Sequence, residues 1–467
     1  MRTRRNSRGS RVARIVCLLP AALCVACSSP KAKPGEPQVS FQEKRLAVVP
    51  AGYRGARLIT LGVGAGAQIN VIVKNGNFYG TLDYQQEGDL DWPVFSPDGK
   101  SVAYRAVLNG KEFVVAGDRK GEEFDKVTSP RFSPNGKRMG YTGHAAGGCF
   151  VVVDGVKSEK YDDCGDPIFS QDGKRVAYRA RKGSAAFVVV DGVPGEAYSE
   201  TGHPAFSPDG TRVAYRARAG GKGFVVLDKE RGEAFDEVSG LQFSPDGSKV
   251  GYAAKLGVKW FVVMGNEKGE PFDQVLELIF SPDGSKMAYR AMAGGAWFGV
   301  NGKDRGPSLT MVTGPQFSPD GKSIAYAAVD ADRAFVMHDG KRGPGFDAIG
   351  DFLAGVYDPV FSPDGSHLAY RARRGRQIVA VVDGEVSPGF DAMGVITFSP
   401  SSKHIAYWVR QGKKDVLMLD GKPGEPMDYV GDPVFSPNSS KIAYGARLGQ
   451  ELWWKVQSVP RGSWLSW

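Results

Sequence analysis

The chain has 467 residues, with 60 lysines and arginines against 51 acidic residues and a formal net charge of +9. Six arginines and no acidic residue lie in residues 1–26, so the rest of the chain carries a net charge of only +3. A protein that binds nucleic acid is expected to keep a basic patch or stripe. The charge therefore argues against a nucleic-acid partner.

Residues 1–26 are predicted to be an export signal. The arginines precede an apolar run from Ile15 to Ala26, which is too short to span a bilayer comfortably and ends in small residues. Leu23-Cys24-Val25-Ala26-Cys27 resembles a bacterial lipoprotein signal, in which the cysteine after the small residues is lipidated and becomes the mature N-terminus. The chain departs from that pattern by having Cys24 where the family usually has Leu. The resemblance implies lipidation of Cys27, and the alternative is ordinary cleavage nearby, which would give a free periplasmic or secreted protein.

Residues 27–55 are predicted to form a flexible tether, because the stretch from Ser28 to about Gln42 is rich in Ser, Pro and Lys. The absence of Asp after Cys27 favours the outer membrane, by resemblance to the sorting patterns of lipoproteins. Residues 56–91 contain three β-prone runs that match the later strands of the repeat described next, without its opening. We therefore expect residues 56–91 to combine with the last repeat in one closing sheet.

Residues 92–457 contain ten copies of one pattern, which first appears at Phe95-Ser96-Pro97-Asp98-Gly99. Eight of the nine intervals between copies are 37 residues, and the interval from Phe317 to Phe361 is 44, with the excess between Gly350 and Tyr357. A fixed period of this size indicates a repeat architecture. The first residues of the copies are Phe95, Phe132, Phe169, Phe206, Phe243, Phe280, Phe317, Phe361, Phe398 and Phe435.

Each copy is predicted to form a four-stranded antiparallel meander, so the fold class is all-β. Pro-Asp-Gly is turn chemistry between the first two strands, and an Asp-Gly pair, as at Asp154-Gly155, predicts a second tight turn after the third strand. A Tyr stands nine residues after every Phe, from Tyr104 to Tyr444. We expect this Phe and Tyr to fill the space between neighbouring sheets.

The motif Phe-Ser-Pro-Asp-Gly-Lys-x-x-Ala-Tyr resembles the WD40-like repeat of the propeller in TolB and of propeller domains in some serine peptidases. The resemblance covers roughly residues 92–457 and implies a β-propeller, with residues 458–467 as a C-terminal tail. TolB-type proteins also carry an α/β domain ahead of the propeller, for which we expect no counterpart here. The unbroken period predicts one large ring of ten or eleven blades, and the alternatives are two smaller propellers or an open superhelix.

Two cysteines remain in the repeats, Cys149 and Cys164. They are predicted to stand opposite each other across a hairpin whose turn is centred between Val156 and Lys157. Since envelope proteins meet oxidising conditions, we predict a disulfide between them. Two separate thiols are the alternative.

No feature of the sequence indicates catalysis or a cofactor. The five histidines fall at different positions within different copies, no cluster has the spacing of metal ligands, and neither a Gly-x-Ser-x-Gly motif nor a glycine-rich phosphate loop occurs. An enzyme, either a lyase or a hydrolase, would have to use acids near the expected axial channel, such as Asp166, Asp358 and Asp432. No metal, cofactor or catalytic residue is predicted.

A series of basic residues follows the Tyr strand in many copies, whereas acids are richer after the third strand. We expect these two connections to emerge on opposite faces, so that one face is net basic and docks an anionic partner, either a protein or an envelope polymer. Solvated charges that serve solubility and protect sheet edges are the alternative. The predicted binding residues are Arg105, Arg179, Arg181, Arg216, Arg218, Arg290, Arg371 and Arg373.

Together these features predict an exported, lipid-anchored cell-envelope propeller that acts as a binding scaffold. A propeller enzyme and a purely structural surface protein are the competing functions.

Overall fold

The computed structural model describes residues 93–349 and 359–460, except 118 and 332, together with residue 462 and the backbone of four strands between residues 42 and 82. The described part of the chain is all-β and contains no helix. It comprises ten sheets of four antiparallel strands, one for each repeat, and a further sheet of three strands. The predicted fold class is therefore confirmed at the level of the blade. We name each blade by its first Phe, from blade 95 to blade 435.

The second and third strands form the long central hairpin of each blade. The second strands are Val102–Leu108, Met139–Ala145, Val176–Lys182, Val213–Ala219, Val250–Leu256, Met287–Ala293, Ile324–Asp330, Leu368–Arg374, Ile405–Gln411 and Lys441–Leu448. The third strands are Lys111–Ala116, Gly148–Val153, Ala185–Val190, Lys222–Leu227, Lys259–Met264, Ala296–Asn301, Arg333–His338, Gln377–Val382, Lys414–Leu419 and Glu451–Ser458.

The outer strands are shorter, and most first strands are split in two. The first strands are Val94–Phe95, Lys126–Val127 with Arg131–Phe132, Asp163–Cys164 with Ile168–Phe169, Glu200–Thr201 with Ala205–Phe206, Glu237–Phe243, Gln274–Phe280, Met311–Val312 with Gln316–Phe317, Ala348–Ile349 with Val360–Phe361, Ala392–Met393 with Thr397–Phe398, and Tyr429–Val430 with Val434–Phe435. The fourth strands are Arg119–Lys120, Val156–Lys157, Val193–Pro194, Glu230–Arg231, Glu267–Lys268, Asp304–Arg305, Lys341–Arg342, Glu385–Val386 and Lys422–Pro423.

The chain divides into two compact units, with the boundary between Pro204 and Ala205. The strand Gln42–Val48 belongs to the second unit, and the other N-terminal strands belong to the first. The repeat period passes unchanged from Phe169 to Phe206, which is why spacing alone does not reveal this boundary. One ring, two smaller propellers and an open superhelix stay predictions.

The Phe-Ser-Pro-Asp-Gly turn is held by a network that recurs in most blades, and blade 243 illustrates it. The buried Ser244 hydroxyl donates to Asp246 Oδ1 at 2.5 Å, and that carboxylate accepts the backbone N–H of Ser248 at 3.0 Å. Gly247 takes a φ of 72°, which lies in the left-handed region that glycine adopts without strain. The predicted capping of the turn by Asp is confirmed. The hydrogen bond from Ser244 lowers the pKa of Asp246 to about 2.

The repeated Tyr lies between blades, as predicted. Tyr252 of blade 243 is buried and makes an edge contact with Phe235 of blade 206, with ring centroids 6.3 Å apart. Tyr289 of blade 280 makes the same contact with Phe272 of blade 243 at 6.0 Å. Burial raises the pKa of Tyr289 to about 12. In these pairs each blade buries an aromatic ring against its predecessor, which a single blade could not do alone.

The N-terminal strands differ from the expectation. Gln42–Val48, which we placed in the tether, is a strand that pairs antiparallel with Glu451–Ser458 and supplies the fourth strand of blade 435. The runs within residues 56–91 form a separate sheet of three strands, Arg57–Val63, Ala67–Lys74 and Asn77–Leu82. The expected seven-residue excess between residues 350 and 357, and the predicted signal, lie outside the described residues.

Candidate functional site

Each blade has two ends. The loop between the second and third strands forms what we call the hairpin end, and the Pro-Asp-Gly and Asp-Gly turns form the turn end. The predicted docking arginines lie on the second strands, at or near the hairpin end, because each second strand leads into that hairpin.

Most lysines of the hairpin end are paired with an aspartate of the same blade. That aspartate stands thirty residues after the Phe and also accepts a backbone N–H from the hairpin of the next blade, as Asp236 does from Gly257 at 2.7 Å. The hydrogen bond from Lys222 lowers the pKa of Asp236. The lysine pairs are Lys111 with Asp125 at 2.5 Å, Lys222 with Asp236 at 2.5 Å, Lys259 with Asp273 at 2.6 Å and Lys414 with Asp428 at 2.7 Å.

These pairs correct the predicted separation of charge. We expected the acids after the third strand to lie on the opposite face from the basic loops. The short fourth strand instead leads back to the hairpin end, so that the aspartate after it sits within hydrogen-bonding distance of the loop lysine. The expectation was wrong for these acids, and they neutralise four lysines of the basic series.

Three predicted docking arginines connect neighbouring blades. In each of the three arginines, Nη1 donates to the carbonyl oxygen of the residue 22 positions later in the sequence, which lies in the first strand of the next blade. Arg371 is buried, and Arg290 also pairs with Glu277 at 2.8 Å. These guanidinium groups therefore contribute to the packing of the blades. The three hydrogen bonds join Arg216 to Val238 at 3.3 Å, Arg290 to Val312 at 3.0 Å and Arg371 to Met393 at 2.7 Å.

Two further predicted arginines pair within their own blade, Arg105 with Glu112 at 2.9 Å and Arg179 with Asp163 at 3.1 Å. Arg218 donates to the carbonyl oxygen of Gly221 at 2.9 Å in its own hairpin. These contacts restrain the side chains against their own sheets.

The hairpin of blade 361 differs from the others. Arg373, Arg374 and Arg376 are all exposed there. Arg374 lies 5.8 Å from the ring of Phe346, and within the described part of the chain neither Arg373 nor Arg376 has an ion pair. The nearby Asp347 is already engaged by Arg333 at 3.2 Å. We call these three arginines the Arg373 cluster, of which the prediction contained only Arg373. Arg181, the remaining predicted residue, is half-buried in blade 169.

At the turn end, basic residues also form ion pairs with aspartates of the same blade. The Asp of the Asp-Gly turn accepts from a residue six places after the Phe, as Asp154 does from Arg138 at 2.8 Å. His367 and His404 occupy this same place and contact Asp383 and Asp420 at 2.7 and 2.8 Å. The expectation that the histidines fall at different positions was therefore wrong for these two.

Cys149 and Cys164 form a disulfide with an S–S distance of 2.06 Å. The predicted register was wrong, because Val153 pairs with Val156 and the hairpin turn is therefore centred between Asp154 and Gly155. Cys164 instead lies opposite Ala180 in the next sheet. The bond therefore joins blade 132 to blade 169 rather than two strands of one hairpin.

In two other blades, an acidic residue at the position of Cys149 connects the third strand to the next blade. Glu112 stands at the position of Cys149 in its own repeat and accepts the backbone N–H of Val127 at 2.8 Å. Asp415 is buried at the equivalent position and accepts the N–H of Val430 at 3.3 Å. The disulfide is thus one of several solutions for joining a third strand to the first strand of the next blade.

Grooves recur between blades at the turn end. The groove between blades 132 and 169 has a volume of about 760 Å³, and the equivalent groove between blades 243 and 280 has about 400 Å³. Met264 and Met287 line the smaller groove where Val153 and Val176 line the larger one, so side-chain size accounts for part of the difference. The cations of the larger groove all contact acids. The groove therefore offers no unbalanced charge to select a ligand.

Two of the three acids considered for an enzyme contact other side chains. Asp166 lies 3.4 Å from Arg131 of the preceding blade, and Asp432 accepts Nε1–H of Trp408 at 2.9 Å. Asp358 lies outside the described residues. Among the residues that the structure describes, no three His, Cys, Asp or Glu side chains are arranged to hold a metal ion. Nor does that part of the chain contain a helix with the length and hydrophobicity of a membrane span.

No protein-family model matches the chain. No curated protein matches it either. A solved structure described as "Structure of Dos1 propeller" is similar over 72% of this chain and 93% of that chain, with 12% sequence identity and a TM-score of 0.30. A TM-score this low does not support a structural assignment. The assignment to propeller-type blades rests on the ten antiparallel sheets themselves.

Proposed function

We propose that the protein is an exported, lipid-anchored cell-envelope protein that binds an acidic protein partner through the Arg373 cluster. The supporting observation is the contrast within the hairpin ends. Most of the predicted cations are held by an acid or a carbonyl oxygen, whereas the Arg373 cluster presents three exposed guanidinium groups on one hairpin. Guanidinium groups form paired hydrogen bonds with carboxylates, which gives such a cluster directional selectivity.

A protein partner fits this arrangement better than an extended anionic polymer does. A polymer would use basic residues along several blades. Here the lysines of other hairpins, such as Lys222 and Lys259, are paired with aspartates of their own blades. The positive potential is therefore local, as for a partner with a compact group of carboxylates.

Export and anchoring are supported by the sequence of residues 1–27. Lipidation at Cys27 can be tested by labelling cells with a fatty acid that carries a detectable tag. We expect label on the native protein and none on Cys27→Ser, which should fractionate away from the membrane. Label that persists on Cys27→Ser would contradict this part of the proposal.

Binding can be tested by affinity capture from solubilised envelope with the mature chain. The variant Arg373→Ser/Arg374→Ser/Arg376→Ser should lose the captured protein, and capture by the native chain should weaken as salt rises. The variant Lys222→Ser/Lys259→Ser/Lys414→Ser is the matched control, since it removes equal charge from paired positions and should keep the partner. Equal losses in both variants would show a response to net charge alone. Capture of an anionic polymer, or no difference between the variants, would contradict a protein site at the Arg373 cluster.

A further inference from the structure

The sheet of blade 435 has one covered face and one open face. On the covered face, Ile442, Tyr444 and Ala446 of the second strand pack with Phe435 into a hydrophobic cluster shared with blade 398. Because successive side chains of a strand point to opposite faces, Ala443, Gly445 and Arg447 must lie on the other face.

The open face carries four large apolar side chains. Arg447 pairs with Tyr429 on one side and Leu452 on the other, Gly445 pairs with Trp454, and Ala443 pairs with Val434. Residues directly opposite each other in an antiparallel pair share a face. Tyr429, Val434, Leu452 and Trp454 are therefore neighbours on one surface, and they are 52%, 53%, 38% and 38% exposed.

In blade 398 the corresponding face is covered. Trp454 stands nineteen residues after Phe435, and Leu417 stands nineteen residues after Phe398. Leu417 is only 2% exposed, because it packs into the cluster that blade 435 completes. In the second unit no further blade is described after blade 435. Its open face thus has the character of an internal surface, and an apolar patch of this kind marks a site of interaction.

We propose that residues 461–467 of the same chain occupy this face. The segment contains Trp464, Leu465 and Trp467, an unusual density of large apolar side chains. It follows the third strand, which carries Leu452 and Trp454, so it leaves from the same sheet as the patch.

The exit point and the reach of the segment fit the face. Val459 is buried, and its N–H donates to the carbonyl oxygen of Ser440 at 2.9 Å, which fixes the departing chain at the turn end of the blade. Seven extended residues reach up to about 25 Å. An eight-residue strand such as Glu451–Ser458 is about as long, so the segment can run back along the face to the hairpin end. It would then do for blade 435 what the next blade does for blade 398.

This inference is independent of the proposed binding at the Arg373 cluster and can be tested by hydroxyl-radical footprinting read by mass spectrometry. The full mature chain is compared with a chain that stops after Pro460. We expect labelling of Trp454 and Tyr429 to rise several-fold in the shorter chain. Leu256 and Val258, which are exposed on the hairpin of blade 243, should keep their labelling and serve as an internal control.

Point variants guard against an effect of truncation on folding. Trp464→Ser/Trp467→Ser should expose Trp454 as the truncation does, whereas Ser463→Ala/Ser466→Ala should not. A synthetic peptide of residues 461–467 should restore protection to the shorter chain. Heavy labelling of Trp454 in the full chain would overturn the proposal. So would protection that persists after truncation, and a dimeric mass in sedimentation would then identify a second copy as the occupant.

Discussion

At the scale of single residues, Gly306 marks a close approach between blades. A Cβ at this position would lie 2.7 Å from the hydroxyl oxygen of Tyr326 in the next blade and 3.0 Å from the carbonyl oxygen of Gly299. Glycine stands at this place, 26 residues after the Phe, in most copies. Gly306→Ala should therefore lower the free energy of unfolding by about 1–3 kcal/mol through overpacking, measured by urea denaturation.

Gly445→Ala is the control for this prediction. No atom lies within 4 Å of a Cβ built on Gly445, and its φ is not positive, so alanine should be tolerated or slightly stabilising. An equal loss of stability in both variants would contradict the role assigned to the contact with Tyr326.

Single residues also show where local sequence patterns stop being informative. The buried Ser and the capping Asp act within one turn, and the role of that Asp was predicted from turn chemistry. Arg371 follows a repeated Tyr in the same regular way, yet its partner is the carbonyl oxygen of Met393 in another sheet. A one-dimensional pattern shows that the arginine recurs but not what it touches, and exposure at the surface was therefore the wrong expectation for it.

At the scale of the structural element, the turn network predicts a response to acid. Hydrogen bonds from serine hydroxyls lower the pKa of Asp246, Asp283 and Asp320 to about 2 in the folded protein, below the ordinary value of 3.8. A folded-state pKa below the unfolded one contributes stability that is fully present above about pH 4. That contribution is lost as the pH falls through 2. The melting temperature should therefore fall between pH 4 and pH 2.

Asparagine provides the control, because two copies already use it. In blade 132, Asn135 accepts the hydroxyl of Ser133 at 2.8 Å and the N–H of Lys137 at 3.0 Å, as Asp does elsewhere. The variant Asp246→Asn/Asp283→Asn/Asp320→Asn should keep the fold at neutral pH and lose less stability on acidification. An unchanged pH profile would show that these turns do not contribute to the acid response.

The disulfide between blades gives a second prediction for an element. It closes a sequence separation of 15 residues, and the entropic account of such a loop corresponds to about 3 kcal/mol. Cys149→Ala/Cys164→Ala should therefore unfold at a lower denaturant concentration than the oxidised native chain. The reduced native chain should resemble the variant. Equal stability of the oxidised and reduced chains would contradict a stabilising role for the bond.

At the scale of the whole molecule, the structure of one repeat was predictable from the sequence, whereas most contacts between a blade and other segments of the chain were not. The period, the turn residues and the alternation of small and large side chains determine a four-stranded blade, and the Tyr between blades follows from it. The fourth strand leads back to the hairpin end, where the aspartate after it pairs with the loop lysine. This pairing depends on the register of the strands rather than on the composition of the loops. Gln42–Val48 lacks the repeat motif altogether, so its pairing with a strand about 400 residues later leaves no periodic signal.

That pairing leads to the last prediction. Gln42–Val48 lies beside Glu451–Ser458 from Gln42 opposite Val456 to Val48 opposite Glu451, so it covers the edge of the last blade. A mature chain that begins at residue 50 should leave this edge open, and amide hydrogens of Glu451–Ser458 should exchange faster. Lys414–Leu419 has its own fourth strand, Lys422–Pro423, and should keep its exchange rate as an internal control. Acceleration in both strands would mean general unfolding, whereas unchanged exchange in Glu451–Ser458 would show that the N-terminal strand does not complete the blade.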